Sequence, residues 1–401
     1  MYKLIEYVNK LIVLIINAIR FCFVNKVKYY ETKWNKKVGY KTKNKIASQN
    51  SDMSYAIGII TDPMGVFKYY VQACDELKVN YQLFDIMDNE WYNKIVLDPF
   101  ISGFLISPRY YNNAWRNMYD ERLKIISESG KILYPSIEEL WIYESKRRMS
   151  YWLNLYKFKG PKTDIFYSYI EAIKFTETLQ FPIVIKADAG YGSKGVKIFK
   201  YKKGLKRFVK KHFNKGLVMN IGGYIPQIEQ GFIIFQEYIY TNVEWRLVRI
   251  GESFFAHEKL KKGDFHSGTG LAGWHPPQRK HLDLIKKVTD VGNLNNISLD
   301  VFETKNGELL INEIQTLFGQ QRDYQMIING EPGRYLYNHD QDSWYFEKGD
   351  FCRNKCCNLR VQDILNKIGV EISLPVGEPD NIVKEEDKLE SIKSFIRYNL
   401  N

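Results

Sequence analysis

Cysteine is scarce in this chain: Cys22, Cys74, Cys352, Cys356 and Cys357 are the only ones in 401 residues. An odd number at irregular spacing argues against a disulfide framework and for a reducing, cytoplasmic compartment. The close trio Cys352, Cys356 and Cys357 has no fourth ligand at a spacing that holds zinc, and the histidines lack metal-ligand spacing as well. Neither H-R-D nor D-F-G occurs, which sets aside a protein-kinase catalytic loop. No basic stripe interleaved with aromatics lies beyond residue 50, so nucleic acid is not an expected partner. Internal repeats and low-complexity tracts are absent.

A long apolar run free of charge is missing too. Residues 4–24 are mostly apolar, yet Lys3, Glu6, Lys10, Asn17 and Arg20 recur at three, four or seven residues, a polar stripe along one helix. Those charges argue against a secretory signal and would be costly in a spanning helix. The same fifty residues hold eleven Lys or Arg against Glu6 and Glu31, most of the net charge of +12, so the remainder is nearly balanced. An amphipathic helix followed by a basic run from Lys26 to Lys45 suits the surface of an anionic membrane, on the inner face of the plasma membrane. The alternative is a helix pair or homodimer seam with a solvated basic linker.

At 45% apolar the chain can bury sizeable cores, and its length suggests two or three domains. Strands are expected at Tyr55–Ile60, Tyr81–Ile86 and Ile101–Ile106, with helices at Val66–Leu77, Tyr110–Ser129 and Ile137–Leu155. This alternation implies a small parallel sheet. Pro161-Lys162-Thr163 reads as a linker. From Phe181 the pattern becomes strands joined by Gly turns, with helices near 165–180, 203–214 and 279–293, an α+β region. The divisions are 1–50, 51–150, 151–330 and a C-terminal extension at 331–401.

The strand Phe181-Pro-Ile-Val-Ile-Lys186 is followed by Asp188-Ala-Gly190-Tyr-Gly192-Ser193-Lys194-Gly195 and the alternating Val196-Lys-Ile198-Phe199. Three glycines and a serine let backbone N–H groups converge, as phosphate binding requires. A dinucleotide fingerprint would open a helix after the glycines, whereas a strand follows here, so the loop is a strand-turn-strand flap. A plain Gly-rich hairpin is the simpler alternative.

Two hairpins set charges opposite one another. Asn306-Gly307 signals a two-residue turn, and counting outward from it places Asp300 opposite Glu313. Opposed carboxylates are destabilising unless neutralised, and Mg²⁺ is typically held by one or two carboxylates plus substrate phosphates. Gln315 lies on the same face and could add a neutral oxygen. If Gly251-Glu252 turns the second hairpin, Glu244 faces Lys259 and Arg246 faces His257. Arg246 and Lys259 would then stabilise charge on a transferring phosphoryl group, beyond the small worth of a cross-strand ion pair.

From about residue 51 to residue 320 these segments resemble the ATP-grasp superfamily. The resemblance implies a small N-terminal parallel α/β domain followed by a two-lobed ATP-grasp α+β domain, with ATP and Mg²⁺ (or Mn²⁺) as cofactors. It implies nucleotide contacts from Lys146, Lys186 and the flap residues Gly190, Gly192, Ser193, Lys194 and Gly195. It likens Phe235-Gln236-Glu237-Tyr238-Ile239 to the hinge that meets adenine, and puts Glu244 at the ribose hydroxyls. Arg246 and Lys259 match basic positions aimed at the γ-phosphate. Asp300, Glu313 and Gln315 match the metal ligands, with Gln315 standing where the family has Asn. His266, in a Gly-rich segment, is a candidate substrate contact, as is the loop Ser107-Pro108-Arg109.

The family's usual reaction passes the γ-phosphate to a carboxylate, and an amine then attacks the acylphosphate. A carboxylate-amine ligase is therefore the expected function. A phosphotransferase that stops at the phosphorylated acceptor, or a nucleotide-binding module without turnover, are the alternatives. A membrane-surface location would suit a small-molecule or glycan-linked acid or amine from a cell-envelope or polysaccharide precursor.

Overall fold

The computed structural model describes residues 15, 57–62, 65–108, 110, 113–190, 195–221, 225–241, 243–261, 271–319, 322–375 and 382–400, with 113, 218–221, 225–227 and 400 given by backbone alone. Apart from Ile15, the amphipathic segment 4–24 and the basic run 26–45 lie outside the described residues, as do Arg109, the flap tip 191–194 and the loop that carries His266. No described helix is long and apolar enough to cross a membrane.

Strands β1 (Ile57–Ile60), β2 (Tyr81–Phe84), β3 (Gly103–Leu105) and β4 (Ile132–Tyr134) form a parallel sheet in the order β2-β1-β3-β4. β1 is buried along its whole length, as a parallel strand covered on both faces requires. Helix α1 (Lys68–Leu77) packs Tyr70, Val71 and Cys74 on one face, and helix α2 (Asn113–Glu128) packs Tyr119, Leu123 and Ile126 on the other. The helix expected from Ile137 to Leu155 is two, α3 (Ile137–Ile142) and α4 (Lys146–Leu155). Glu144 turns left-handed between them at φ 54, and Ser145 caps α4 by accepting from the Arg148 N–H. Apolar periodicity ran across the break because both helices bury apolar residues, Leu140 and Ile142 in one and Met149, Trp152 and Leu153 in the other.

The second sheet is antiparallel, with the order β5-β10-β6-β7 over β5 (Thr163–Phe166), β6 (Ile183–Lys186), β7 (Val196–Phe199) and β10 (Ile233–Glu237). The supposed linker at Pro161-Lys162-Thr163 therefore runs into an edge strand. Polar Thr163 and Asp164 hid it, since only one side of an edge strand is paired. Helices α5 (Tyr169–Thr178) and α6 (Leu205–Lys215) cover the sheet, and a separate hairpin, β8 (Leu217–Ile221) with β9 (Ile225–Glu229), follows α6.

The third sheet has eight strands. Its main path is β15-β14-β11-β12-β17-β16, with β13 (Ala272–Gly273) joined to β12 and β18 (Ser343–Lys348) to β17. β11 (Val243–Ile250) and β12 (Ser253–Lys259) form the expected hairpin, with Glu244 opposite Lys259 and Arg246 opposite His257. β14 (Asn296–Glu303) pairs with β11 on one side and β15 (Leu309–Gln315) on the other. Trp245, Leu247, Leu299 and Val301 point to the opposite face, into a core completed by Leu282, Ile285 and Val288 of α7 (Arg279–Gly292). The tail adds β16 (Ile327–Ile328), β17 (Glu331–Asn338), β18 and two helices, α8 (Arg353–Lys367) and α9 (Glu385–Leu400). α8 buries Val361, Ile364 and Leu365 with α1 against the first sheet, so residues beyond 330 join both outer sheets. The fold class is the expected one, α/β followed by α+β.

Candidate active site

Alternation along the strands puts one row of polar residues across the third sheet. Glu313 on β15 pairs with Asp300 on β14, Asp300 with Arg246 on β11, and Arg246 with His257 on β12. Glu244 and Lys259 lie two residues further along their strands, on the same face. The Arg246 guanidinium donates to both oxygens of Asp300, at 2.9 and 3.0 Å. Lys259 Nζ donates to Asp300 at 2.7 Å and to Glu244 at 2.8 Å. Asp300 is 1% exposed and Glu244 2%, so these charges are stabilised by one another rather than by water. Burial would raise the Asp300 carboxyl, but Arg246 and Lys259 outweigh it and hold it well below the usual carboxylate range. His257 is pushed down to about 3 by burial and by Arg246, and its Nδ1 bonds the Gln325 carbonyl at 2.8 Å.

The row was legible, but its register arises differently. Near the turn Glu303 pairs with Leu309, Phe302 with Leu310 and Val301 with Ile311, one residue short of the count from a two-residue turn. Thr304 N–H bonds the Glu308 carbonyl and Gly307 N–H bonds Thr304, which makes a three-residue turn with Gly307 left-handed at φ 76. A bulge between Asp300 and Val301 leaves Asn312 unmatched and restores Asp300 opposite Glu313. Two departures of one residue each thus cancel.

Asn312 is the residue that sequence reasoning missed. The Lys186 Nζ at the end of β6 donates to its Oδ1 at 2.8 Å, which joins the second sheet to the third. Lys186 is 8% exposed, and burial together with the charge of Lys146 lowers its pKa to about 8. Lys146 opens α4, with its Nζ 3.2 Å from the Gly190 carbonyl and 3.7 Å from Glu313. Lys146, Lys186, Arg246 and Lys259 therefore meet Glu244, Asp300 and Glu313, a cluster with one cation in excess.

The base of the glycine flap is pinned to the start of α4. Asp188 accepts from Ser145 Oγ at 3.0 and 3.1 Å, from the Arg147 N–H at 2.9 Å and from the Arg147 guanidinium at 3.0 Å. Its own N–H donates to Glu229 at 2.7 Å, and the Gly190 N–H donates to Glu144 at 3.1 Å. Gly190 has φ 135, a conformation that an L side chain rarely adopts, and Gly195 closes the flap by accepting from the Ala187 N–H. Gly192, Ser193 and Lys194 lie outside the described residues. Ser145, Glu144 and Glu229 carried no sequence signal, because their partners are 43, 46 and 41 residues away.

β10 ends at Glu237, whose side chain accepts from the Lys162 N–H at 2.7 Å and points out to solvent. Tyr238 and Ile239 follow, half-buried, on the way to β11. Beside this hinge opens a cleft of about 370 Å³ lined by Phe181, Ile198, Lys200, Tyr201, Tyr238 and Tyr240, whose aromatic rings offer faces on which a flat heterocycle can stack.

Among the described residues no three His, Cys, Asp or Glu side chains gather to hold a metal unaided. Glu313 and Gln315 offer oxygens that suit Mg²⁺, an all-oxygen ion that completes its shell with phosphate and water, whereas both oxygens of Asp300 are already bonded by Arg246 and Lys259. Glu313 lines a narrow cleft together with Gln315 and Lys146. Directly across from Gln315, Ser298 Oγ is buried with no hydrogen-bond partner.

No family model and no curated protein matches the sequence. Solved structures do match in fold. An ADP complex of N5-carboxyaminoimidazole ribonucleotide synthetase aligns at TM-score 0.51 and 12% identity, over 82% of this chain and 80% of that one. A carboxyaminoimidazole ribonucleotide synthase of Aspergillus clavatus complexed with ATP aligns at 0.50 and 11%, over 81% and 78%. D-cycloserine synthetase DcsG aligns at 0.50 and 12%, over 78% of this chain and 99% of its own. At such identities the likeness is one of architecture, and the architecture of this chain is the ATP-grasp fold.

Proposed function

We propose that this chain is an ATP-dependent ligase that phosphorylates a carboxylate and passes the acyl group to an amine. The observation that carries this reading is the meeting of Lys146, Lys186, Arg246 and Lys259 with three acids beside Gly190 at the base of the glycine loop. One excess cation among buried acids suits a ligand that brings more negative charge, as a triphosphate does. Two of the matched structures are nucleotide complexes, one with ADP and one with ATP.

On this reading the aromatic cleft and the backbone of Glu237, Tyr238 and Ile239 take adenine, and Glu244 takes the ribose hydroxyls. Lys146, Lys186 and the flap from Gly190 through Gly192, Ser193 and Lys194 to Gly195 hold the phosphates. Asp300, Glu313 and Gln315 would hold Mg²⁺, which supplies charge neutralisation at the phosphate oxygens when bound. Arg246 and Lys259 stand where charge grows on the transferring phosphoryl group. Such transfer is mainly a matter of positioning and electrostatics. The carboxylate oxygen attacks the γ-phosphorus, and ADP departs with the electrons of the broken P–O bond. The amine then attacks the acyl carbon, inorganic phosphate leaves with the C–O electrons, and the amine's proton passes to water. His257, at about 3, is too weak a base at neutral pH to collect it.

ADP release with Mg-ATP, screened over amino acids, hydroxy acids and sugar acids, tests the reading. ADP with an amide supports the ligase, ADP with a stable phosphorylated acceptor makes it a phosphotransferase, and no ADP makes it a binding module. Glu313→Ala is expected to cost at least about 100-fold in Mg-dependent turnover. Unchanged turnover would remove the metal assignment.

A further inference from the structure

The near balance of charge beyond residue 50 is an average over unlike stretches. Between Asp188 and Glu229 there are ten Lys or Arg and no Asp or Glu. Eight of the ten fall between Lys200 and Lys215, on α6 and the residues leading into it, and all eight are exposed. α6 sets Leu205, Val209 and His212 inward, while Lys206, Arg207, Lys210 and Lys211 stand on the opposite side. Lys206 shares Glu177 with Lys202. Lys203, Arg207, Lys210, Lys211 and Lys215 have no ion pair among the described residues.

The helix is assembled against its own local stability. Lys206 and Arg207 occupy its first turn, where the macrodipole favours acids, and neither an acid nor a capping side chain is present there. Lys206 and Lys210, Arg207 and Lys211, and Lys211 and Lys215 repeat like charges four residues apart, which destabilises it further. Local rules broken without a gain inside the fold are expected at a functional surface. That surface is not the nucleotide site. β6 turns Ile183 and Ile185 toward the core under α5 and α6 and sends Lys186 the other way, to Asn312, so the cations of α6 face away from the row of charges.

This stretch corrects the expectation that no basic stripe interleaved with aromatics lies beyond residue 50, since Phe199, Tyr201, Phe208 and Phe213 alternate with the cations. Phe199, Phe208 and Phe213, however, pack against the core of the second sheet, and Lys197 lies over the first two rings at 5.0 and 4.6 Å. Their faces are therefore not open to stacked bases. Exposed apolar side chains flank the cations instead. Tyr201 stands at one end of α6. At the other are Ile228, against Gly216, and Ile170 beside Tyr169, whose ring meets Phe213 at 5.8 Å. Cations rimmed by exposed apolar groups suit the boundary between lipid headgroups and acyl chains. We propose that the outer face of α6 docks on an anionic phospholipid bilayer, with Lys203, Arg207, Lys210 and Lys211 meeting the headgroups. The contact is separate from residues 1–50 and does not rest on the ligase reading.

Co-sedimentation of the full chain with vesicles tests this. In about 0.15 M salt the chain is expected to bind vesicles of about 30% phosphatidylserine in phosphatidylcholine, and not phosphatidylcholine alone. Each cation at such a surface is worth about 5-fold in affinity, so Lys203→Gln, Arg207→Gln, Lys210→Gln and Lys211→Gln combined are expected to weaken binding at least about 50-fold. The melting temperature of that variant should not fall, because the four residues are exposed and three of them lie on one helix as like charges. Ile170→Asn is expected to weaken binding at least about 5-fold. Lys26→Gln, Lys28→Gln, Lys36→Gln and Lys37→Gln combined serve as the comparison. Equal binding to neutral vesicles, binding unchanged in the α6 variant, or binding lost only in the comparison variant would each overturn the site. Tighter binding of an oligonucleotide than of the vesicles, lost in the α6 variant, would make the partner a nucleic acid and overturn the lipid assignment. ADP release, measured without vesicles, tests the ligase reading separately.

Discussion

Lys186 Nζ and Asn312 Oδ1 lie 2.8 Å apart, and this hydrogen bond ties the strand before the glycine flap to the strand that carries Glu313. A neutral amide can hold the lysine there without cancelling its charge. That leaves the ammonium available to an incoming phosphate.

The lowered Lys186 pKa gives a pH signature. At about 8 in the free protein, against the usual 10.5, the amine is largely neutral at pH 8.5, and a bound phosphate favours its charged form. ADP binding at pH 8.5 is expected to take up a proton, and binding at pH 6.5 to take up none. Calorimetry in two buffers of different ionisation enthalpy reads the difference. In Asn312→Ala the ADP affinity is expected to fall about 5- to 10-fold, the worth of one hydrogen bond to a charged group. Equal proton uptake at both pH values would refute the assignment of Lys186 to the phosphates.

Asp300 is the counter-ion of both Arg246 and Lys259, so its removal leaves the buried Lys259 and the half-buried Arg246 with the less direct charges of Glu244 and Glu313. Asp300→Ala is expected to destabilise the protein by about 3–5 kcal/mol, as breaking a buried ion pair does. Denaturant unfolding measures this, and added Mg-ADP should restore less of the loss than it adds to the wild type. A change below about 1 kcal/mol would mean that the three charges are not coupled as described.

Glu229 gives the opposite sign. Burial raises its carboxyl to about 7 from 4.5, and its Oε1 has no hydrogen-bond partner. The folded chain thus holds this proton more tightly than the unfolded one. The stabilisation is complete below about pH 4.5 and is lost as pH rises through 7. Glu229→Gln keeps the acceptor for the Asp188 N–H and is expected to raise the melting temperature by about 2 °C at pH 8, with no gain at pH 4.5. A melting temperature unchanged at pH 8 would count against a buried carboxylate here.

Much of the site was written in local pattern. The glycine flap after Lys186, the hairpin at Gly251-Glu252 and the facing of Asp300 and Glu313 all follow from period-two alternation and turn chemistry, which act over a few residues. The Asn306-Gly307 turn was the instructive case. Its identity as a turn was legible, whereas its three-residue length and the compensating bulge at Asn312 were not, because sheet packing sets them.

By itself the sequence determined most of the strands, which acids would oppose each other and where the glycine turn between β6 and β7 would fall, since these depend on neighbours along the chain. Only the tertiary structure decided that Asn312 meets Lys186 across 126 residues, that the start of α4 holds the base of the flap through Asp188, and that α8 from the tail packs on the first sheet. Those contacts depend on how three sheets stack, and the free energy of stacking is spread over buried apolar surface that carries no motif.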